Sequence, residues 1–298
     1  MSLIQDFQTV NAEFPWFFQV MIFIFGAIVG SFLNVCIYRI PAKKSIVHPG
    51  STCSCGKKIA AYDNIPILSW FILRGRARCC KQPYSIRYPM VEALTGALFL
   101  FAWIELPAAK AACIMFFISL MVCASFIDWD TMEIPDRFSI GTAFFGILLS
   151  AFIPALHGHS VEPFSVACIR SFTDAITGLF IGSGLILWLA LTAEVILRKE
   201  AMGFGDVKLL GAIGAFAGWQ GAVFALFGGA AIGTIALMVY LPFKLLLKKK
   251  PKTEENENKI VGVRTPFGPM LAAGALVYLL FLETEVDKYF ELVAELLT

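Results

Sequence analysis

Apolar windows of about 20 residues, the length an α-helix needs to cross a hydrocarbon core, recur along this chain with short polar breaks between them. The first runs from about Pro15 to Tyr38 and is followed by a long polar stretch, Pro41 to about Tyr88. Further apolar runs cover about Met90–Leu106, Ala111–Phe126, Ser139–Leu156 and Phe172–Leu197. Beyond them the pattern is apolar from Val207 to Phe216, turns at Gly218-Trp219-Gln220, and is apolar again from Ala222 to Phe243. A last run starts near Pro266 and ends near Leu282. The pattern predicts an all-α polytopic membrane helical bundle of about eight transmembrane helices with a small cytoplasmic Cys-containing loop subdomain. The segment Val207–Phe216 is the shortest of these and is interrupted by glycine.

Composition agrees: 58% of the 298 residues are hydrophobic and 15% charged, with a mean hydropathy of +0.75, far from the balance of a soluble domain. The net charge of +2 says little, and nothing in it points to a nucleic-acid partner; its distribution says more. Asp6 and Glu13 precede the first apolar run and Arg39 is the first basic residue, which argues for a retained first span with its N-terminus outside rather than a cleaved signal. The Pro41–Tyr88 stretch, with Lys43, Lys44, Lys57, Lys58, Arg74, Arg76, Arg78, Lys81 and Arg87, then falls on the cytoplasmic side, as does Lys248-Lys249-Lys250-Pro251-Lys252. The expected division is a first transmembrane segment over 1–38, a Cys-rich loop subdomain over 39–89 and a helical bundle over 90–298.

Carboxylates at span ends carry the candidate chemistry. Asp206 lies in Glu200-Ala201-Met202-Gly203-Phe204-Gly205-Asp206-Val207-Lys208-Leu209, behind Gly203 and Gly205 at the edge of an apolar run. Asp128 ends an earlier run and is followed by Asp130, Glu133, Pro135 and Asp136. Charge at membrane depth costs roughly 2.5–3.5 kcal/mol on insertion scales, so such groups usually pair and usually work. The topology puts both stretches at one mouth, and two carboxylates brought within about 3–4 Å share a proton, one activating water and the other protonating the departing group. Asp130 and Glu133 are expected in water. Asp136 suits an N-cap with an ion pair at the next helix start. Lys208 suits either a neighbour of Asp206 or an interfacial anchor.

Taken together, Gly30-Ser31-Phe32-Leu33-Asn34-Val35, Asp128 with Ile134-Pro135-Asp136, the Glu200–Leu209 stretch and Pro266-Phe267-Gly268-Pro269 resemble, in order and over nearly the whole chain, the type IV prepilin peptidases, or leader peptidase/N-methyltransferases. The resemblance implies an intramembrane aspartic peptidase of the Gly-x-Gly-Asp class in the bacterial cytoplasmic (inner) membrane, with Asp128 and Asp206 catalytic and Gly203, Gly205, Lys208, Pro135, Asp136, Pro266 and Gly268 supporting them. The implied substrates are type IV prepilins or type II secretion pseudopilins, cut after a short basic leader at the cytoplasmic face. It further implies methylation of the new N-terminus from S-adenosylmethionine, although no nucleotide-binding residue can be named from the sequence.

The cysteines depart from the family pattern of two Cys-x-x-Cys pairs: Cys53-Ser54-Cys55 stands far from Cys79-Cys80, and Ala77 occupies a position where a cysteine is expected. Four thiols in a reducing compartment are compatible with tetrahedral zinc, while the adjacent pair is awkward for one metal; zinc, free thiols and a redox-labile pair all stay open. His48 could substitute for one ligand but reads first as an ordinary loop histidine, and His157 and His159 read as solvated outer residues. Cys36, Cys113, Cys123 and Cys168 read as small packing residues, and the glycines Gly178, Gly182, Gly184, Gly228, Gly229 and Gly233 as close helix contacts. Two other functions fit the same residues: a peptidase that has lost methyl transfer, and a transporter coupling ions through its aspartates.

Overall fold

The computed structural model describes residues 13–53, 55–159, 161–198, 202–247 and 266–297, so Glu200-Ala201 and the lysine run at 248–250 lie outside the described residues. These residues form two compact units, divided between Cys123 and Ala124 within one continuous helix. Helix is the dominant element, and among the described residues pairing of the β type is confined to two isolated antiparallel bridges, Thr52 with Lys58 and Arg76 with Pro83.

In the first unit, α1 (Pro15–Arg39) opens on a proline, which needs no helical N–H there. Short helix α2 (Leu68–Ile72) lies in the long loop, and α3 (Arg87–Glu105) packs on α1. The contact is close because Gly30 faces α3, where an added Cβ would lie 2.8 Å from the Cα of Glu92. Helix α4 (Ala108–Thr131) crosses the division. Its length is three residues greater at the N-terminus and five greater at the C-terminus than the expected Ala111–Phe126, so Asp128 sits inside a helix and not in a loop.

The second unit continues with α5 (Asp136–Phe152), a single 3-10 turn (Pro154–His157), α6 (Phe164–Leu197) and α7 (Phe204–Leu247). Then come α8 (Gly268–Val277), a π-helical turn (Tyr278–Leu282) and α9 (Glu283–Leu297). The expected helix end near Leu282 is therefore overturned: the chain stays helical for another four turns.

Helix α7 is two helices. Gly218 has φ 68 and ψ −179, which breaks the helical path, at the place where the sequence predicts a turn. Contacts with α6 show its sense. A Cβ added at Gly182 would lie 2.6 Å from the Leu210 carbonyl oxygen and 3.1 Å from the Ala222 side chain. Those two residues would be about 18 Å apart along a straight helix, so one glycine can meet both only if the chain doubles back. Gly178 likewise meets Gly214 and Gly218. The small residues let three backbones approach closely, and with Leu209, Leu210, Ile213 and Phe216 they form the buried core of this unit.

Among the described residues, five helical segments are long and apolar enough, by length and composition, to cross a membrane: Trp16–Arg39, Ala108–Thr131, Phe164–Leu197, Phe204–Met238 (the pair broken at Gly218) and Gly268–Leu296. This is a multi-pass membrane protein. Helix α5, at 17 residues, and α3, at 19, are shorter.

Candidate active site and cysteine cluster

Three helix ends build the site in the second unit. Asp128 lies one turn before the end of α4 and is only 5% exposed. The helix stops just past it because Met132 adopts φ 56 and returns its N–H to the Asp128 carbonyl at 2.8 Å, a left-handed C-terminal cap. Ile134 and Pro135 then turn the chain into α5, and Pro135, not Asp136, occupies the N-cap position.

Asp206 is the third residue of α7, half-buried, with its N–H bonded to the Gly203 carbonyl at 3.1 Å. A carboxylate in a helix's first turn is favoured by the unpaired amides there. The third end is α8. Its first amide, that of Gly268, has no helical acceptor and donates instead to Asp128 Oδ2 at 3.0 Å. Thus a carboxylate from the end of one helix caps the start of another, 140 residues away. Gly268 is required by space: a Cβ would lie 2.7 Å from that oxygen and 3.0 Å from Ile134 Cδ1. Ile134 also lies 3.4 Å from where a Cβ on Gly205 would be. One isoleucine thereby packs between the glycines beside both aspartates, and Asp128 and Asp206 are close enough to interact electrostatically.

Lys208 does not turn to Asp206. Its Nζ lies 2.6 Å from Asp136 Oδ1 and 5.2 Å from the Phe204 ring centre. Asp136 therefore pairs across helices with Lys208, replacing the local N-cap and ion pair expected from its neighbours. Asp130 and Glu133 are exposed. Pro266 and Gly268 are buried and Gly203 is exposed.

The histidines depart from expectation as well. His157 Nδ1 is 2.9 Å from Ser171 Oγ, and His159 Nε2 is 2.6 Å from Asp174 Oδ2, so both are half-buried and held against α6 rather than solvated. Cys36, Cys113 and Cys123 are buried in the core, as expected of small packing residues, with Cys36 beside Cys123 between α1 and α4.

In the first unit, all four loop thiols converge. The sulfurs of Cys53, Cys55, Cys79 and Cys80 lie within 4.8 Å of one another, with Cys53 to Cys80 at 3.4 Å and Cys55 to Cys79 at 3.3 Å. Two tight turns bring them together: Cys53 N–H bonds Lys57 O at 2.9 Å, and Ala77 N–H bonds Gln82 O at 2.9 Å. A tetrahedron of sulfurs about 2.3 Å from a zinc ion has edges of about 3.8 Å, so the adjacent pair is no obstacle and the set could hold a metal. The Cys79 thiol is pushed up to about 12, first by its hydrogen bond to Cys55 and then by that to Cys53. Beside it, Arg78 forks onto Asp63 with contacts of 2.8, 2.9 and 3.0 Å, which holds the Asp63 carboxyl below the usual carboxylate range.

Sequence reasoning overlooked Glu92. It is a carboxylate in the second turn of α3, buried, accepting the Ile67 N–H at 2.6 Å and bonded to the Ser31 side chain. The signal was present: a lone acid inside an apolar run, opposite Gly30-Ser31.

Comparison with known proteins matches residues 24–106 to the bacterial peptidase A24 N-terminal domain and residues 115–238 to the type IV leader peptidase family. The chain is 35% identical over 260 residues to a prepilin leader peptidase/N-methyltransferase of Myxococcus xanthus, covering 84% of this chain and 70% of that one. It is 32% identical to the protein of that name from Aeromonas hydrophila, covering 90% and 92%, and 33% identical to that from Pectobacterium carotovorum, covering 91% and 96%. No solved structure matches.

Proposed function

The chain belongs to the type IV leader peptidase family, and on that premise we propose that it removes the leader from prepilins or pseudopilins with Asp128 and Asp206 as its catalytic pair. The observation that carries this is the meeting of three helix ends: Asp128 closing α4, Asp206 opening α7, and the Gly268 amide held on Asp128 Oδ2 at 3.0 Å. Two interacting carboxyls hold one proton between them. The ionised member takes a proton from water as its oxygen attacks the scissile carbonyl. The protonated member gives its proton to the carbonyl oxygen, and a proton then passes to the departing amine as the C–N bond breaks. Fixing Asp128 to a backbone amide orients its second oxygen before substrate arrives, which is where positioning supplies rate.

The enzyme also methylates the amine that cleavage exposes, as the names of its relatives indicate for them. S-adenosylmethionine, when bound, supplies the methyl carbon. The described residues contain no glycine-rich strand-turn-helix cradle for a nucleotide, and no donor site is assigned on this chain. The 39–89 loop is the methyl-transfer region of the proposal. Its four thiols fit zinc by number, softness and spacing, and zinc there would tie the two turns into one folded unit. The site opens to the cytoplasmic face of the bacterial inner membrane, the side that the basic loop favours.

Mass spectrometry of a synthetic prepilin peptide, with a basic leader ending in Gly before Phe, tests both activities. The purified protein with S-adenosylmethionine should cut after Gly and add one methyl to Phe. Cleavage without the methyl leaves a peptidase alone, and an intact peptide with folded enzyme overturns the assignment.

A further inference from the structure

The cysteine-bearing loop is inside out at α2. Ser69 is buried and donates to the Tyr62 carbonyl at 3.5 Å, and Trp70 packs inward with its Nε1–H toward the Tyr84 carbonyl at 3.4 Å. The residues turned outward are Leu68, Phe71 and Ile72, at 57%, 63% and 69% exposure, joined by Ile65. Positions i, i+3 and i+4 share one helical face. A contiguous apolar face of this kind marks an interaction surface.

A strained turn fixes where that face sits. Ile67 has φ 62 and ψ −56, and the Leu68 N–H reaches back to the Pro66 carbonyl at 2.6 Å, making a γ-turn of the rare positive-φ form on a β-branched residue. Its N–H is held by the buried Glu92 carboxylate at 2.6 Å. Glu92 is six residues into α3, about 7.5 Å along the axis, and is flanked there by the exposed apolar Met90 and Leu94. The start of α2 is therefore pinned level with a turn of α3 that already presents apolar side chains outward.

Charge selects the occupant. Residues 39–89 carry ten Lys and Arg (Arg39, Lys43, Lys44, Lys57, Lys58, Arg74, Arg76, Arg78, Lys81 and Arg87) against one acid, Asp63. Arg74 and Arg76 follow α2 directly and are exposed. An apolar face inside a basic rim, tied near the start of α3, which packs on the apolar helix α1, is complementary to an anionic phospholipid surface. We propose that Ile65, Leu68, Phe71 and Ile72 insert into the headgroup boundary of the bilayer, with Arg74 and Arg76 on lipid phosphates, and that Glu92 sets the depth of this insertion through Ile67.

The test uses the full chain in vesicles containing phosphatidylglycerol whose acyl chains are brominated near the headgroup. The tryptophan introduced by Phe71→Trp, read as the difference from wild type, should lose emission to bromine, and the loss should shrink in vesicles of phosphatidylcholine alone or when Arg74→Gln and Arg76→Gln are added. Ile72→Trp repeats the measurement should Phe71→Trp misfold. Emission indifferent to bromine overturns the proposal. Emission that ignores bromine but changes on adding prepilin peptide, or on raising the protein-to-lipid ratio, overturns it too and assigns the face to substrate or to a second copy. The readout does not depend on cleavage, so its failure is separable from failure of the peptidase assignment.

Discussion

The ammonium of Lys208 lies 2.6 Å from the carboxylate of Asp136 and joins the second turn of α7 to the first turn of α5. With Asp136 64% exposed, the pair is worth at most about 1 kcal/mol. Lys208→Met and Asp136→Asn should therefore each lower cleavage by no more than about fivefold. The swap Asp136→Lys with Lys208→Asp, assayed for initial rate, should recover most of it. A loss as deep as that of an Asp206 variant would make Lys208 part of the chemistry.

Gly268→Ala places a methyl group 2.7 Å from Asp128 Oδ2. The neighbours are the Asp128 oxygen held by the Gly268 amide and Ile134, which is itself wedged against Gly205, so neither can retreat without moving the site. A displacement of about 1 Å costs on the order of 10²-fold in rate. Cleavage should fall by that much while the thermal unfolding midpoint in detergent stays close to wild type; unchanged cleavage would mean that Asp128 tolerates a new position.

Asp128→Asn and Asp206→Asn should each reduce cleavage by about 10²–10⁴-fold. On the proposed mechanism the two act on one proton, so the double variant should be no slower than the worse single. Methylation of an already trimmed peptide, followed by mass spectrometry, should persist in all three. Intact cleavage in either single variant would dissolve the pair.

Zinc uptake by the loop should release protons and strengthen with rising pH. A thiol must ionise to bind metal, and Cys79 is pushed up to about 12 by its thiol neighbours, so its proton is present at neutral pH and must leave. Metal content by atomic spectroscopy should fall as pH is lowered below neutral, and Cys79→Ser or Cys53→Ser should reduce it further. Asp63 acts in a different window. Its folded value is depressed by Arg78, so its stabilisation is complete above the unfolded value of about 3.9 and is lost only as pH falls through the lower folded one. Metal loss that sets in below neutral pH would thus report the thiols and not Asp63.

Much of this was legible from local pattern. The turn at Gly218 was visible because glycine between two apolar runs has a local cause, and the buried Asp128 among exposed acids followed from its flanking Ile127 and Trp129. The ends of α4 were misplaced by a few residues because capping, as at Met132, follows from backbone geometry that hydropathy does not register. Glu92, Lys208 and the histidines were misjudged for a common reason: each has a partner on a different segment.

By itself the sequence determined that this chain is a bundle of membrane helices, since segment length and hydropathy are local properties that the bilayer reads directly. It also determined which residue types stand at the helix ends. Only the tertiary structure decided which of them meet. Asp136 and Lys208 are 72 positions apart and Asp128 and Gly268 are 140 apart. Such pairings depend on how α7 doubles back at Gly218 and how closely its glycines let it approach α6, and short-range spacing carries no record of either.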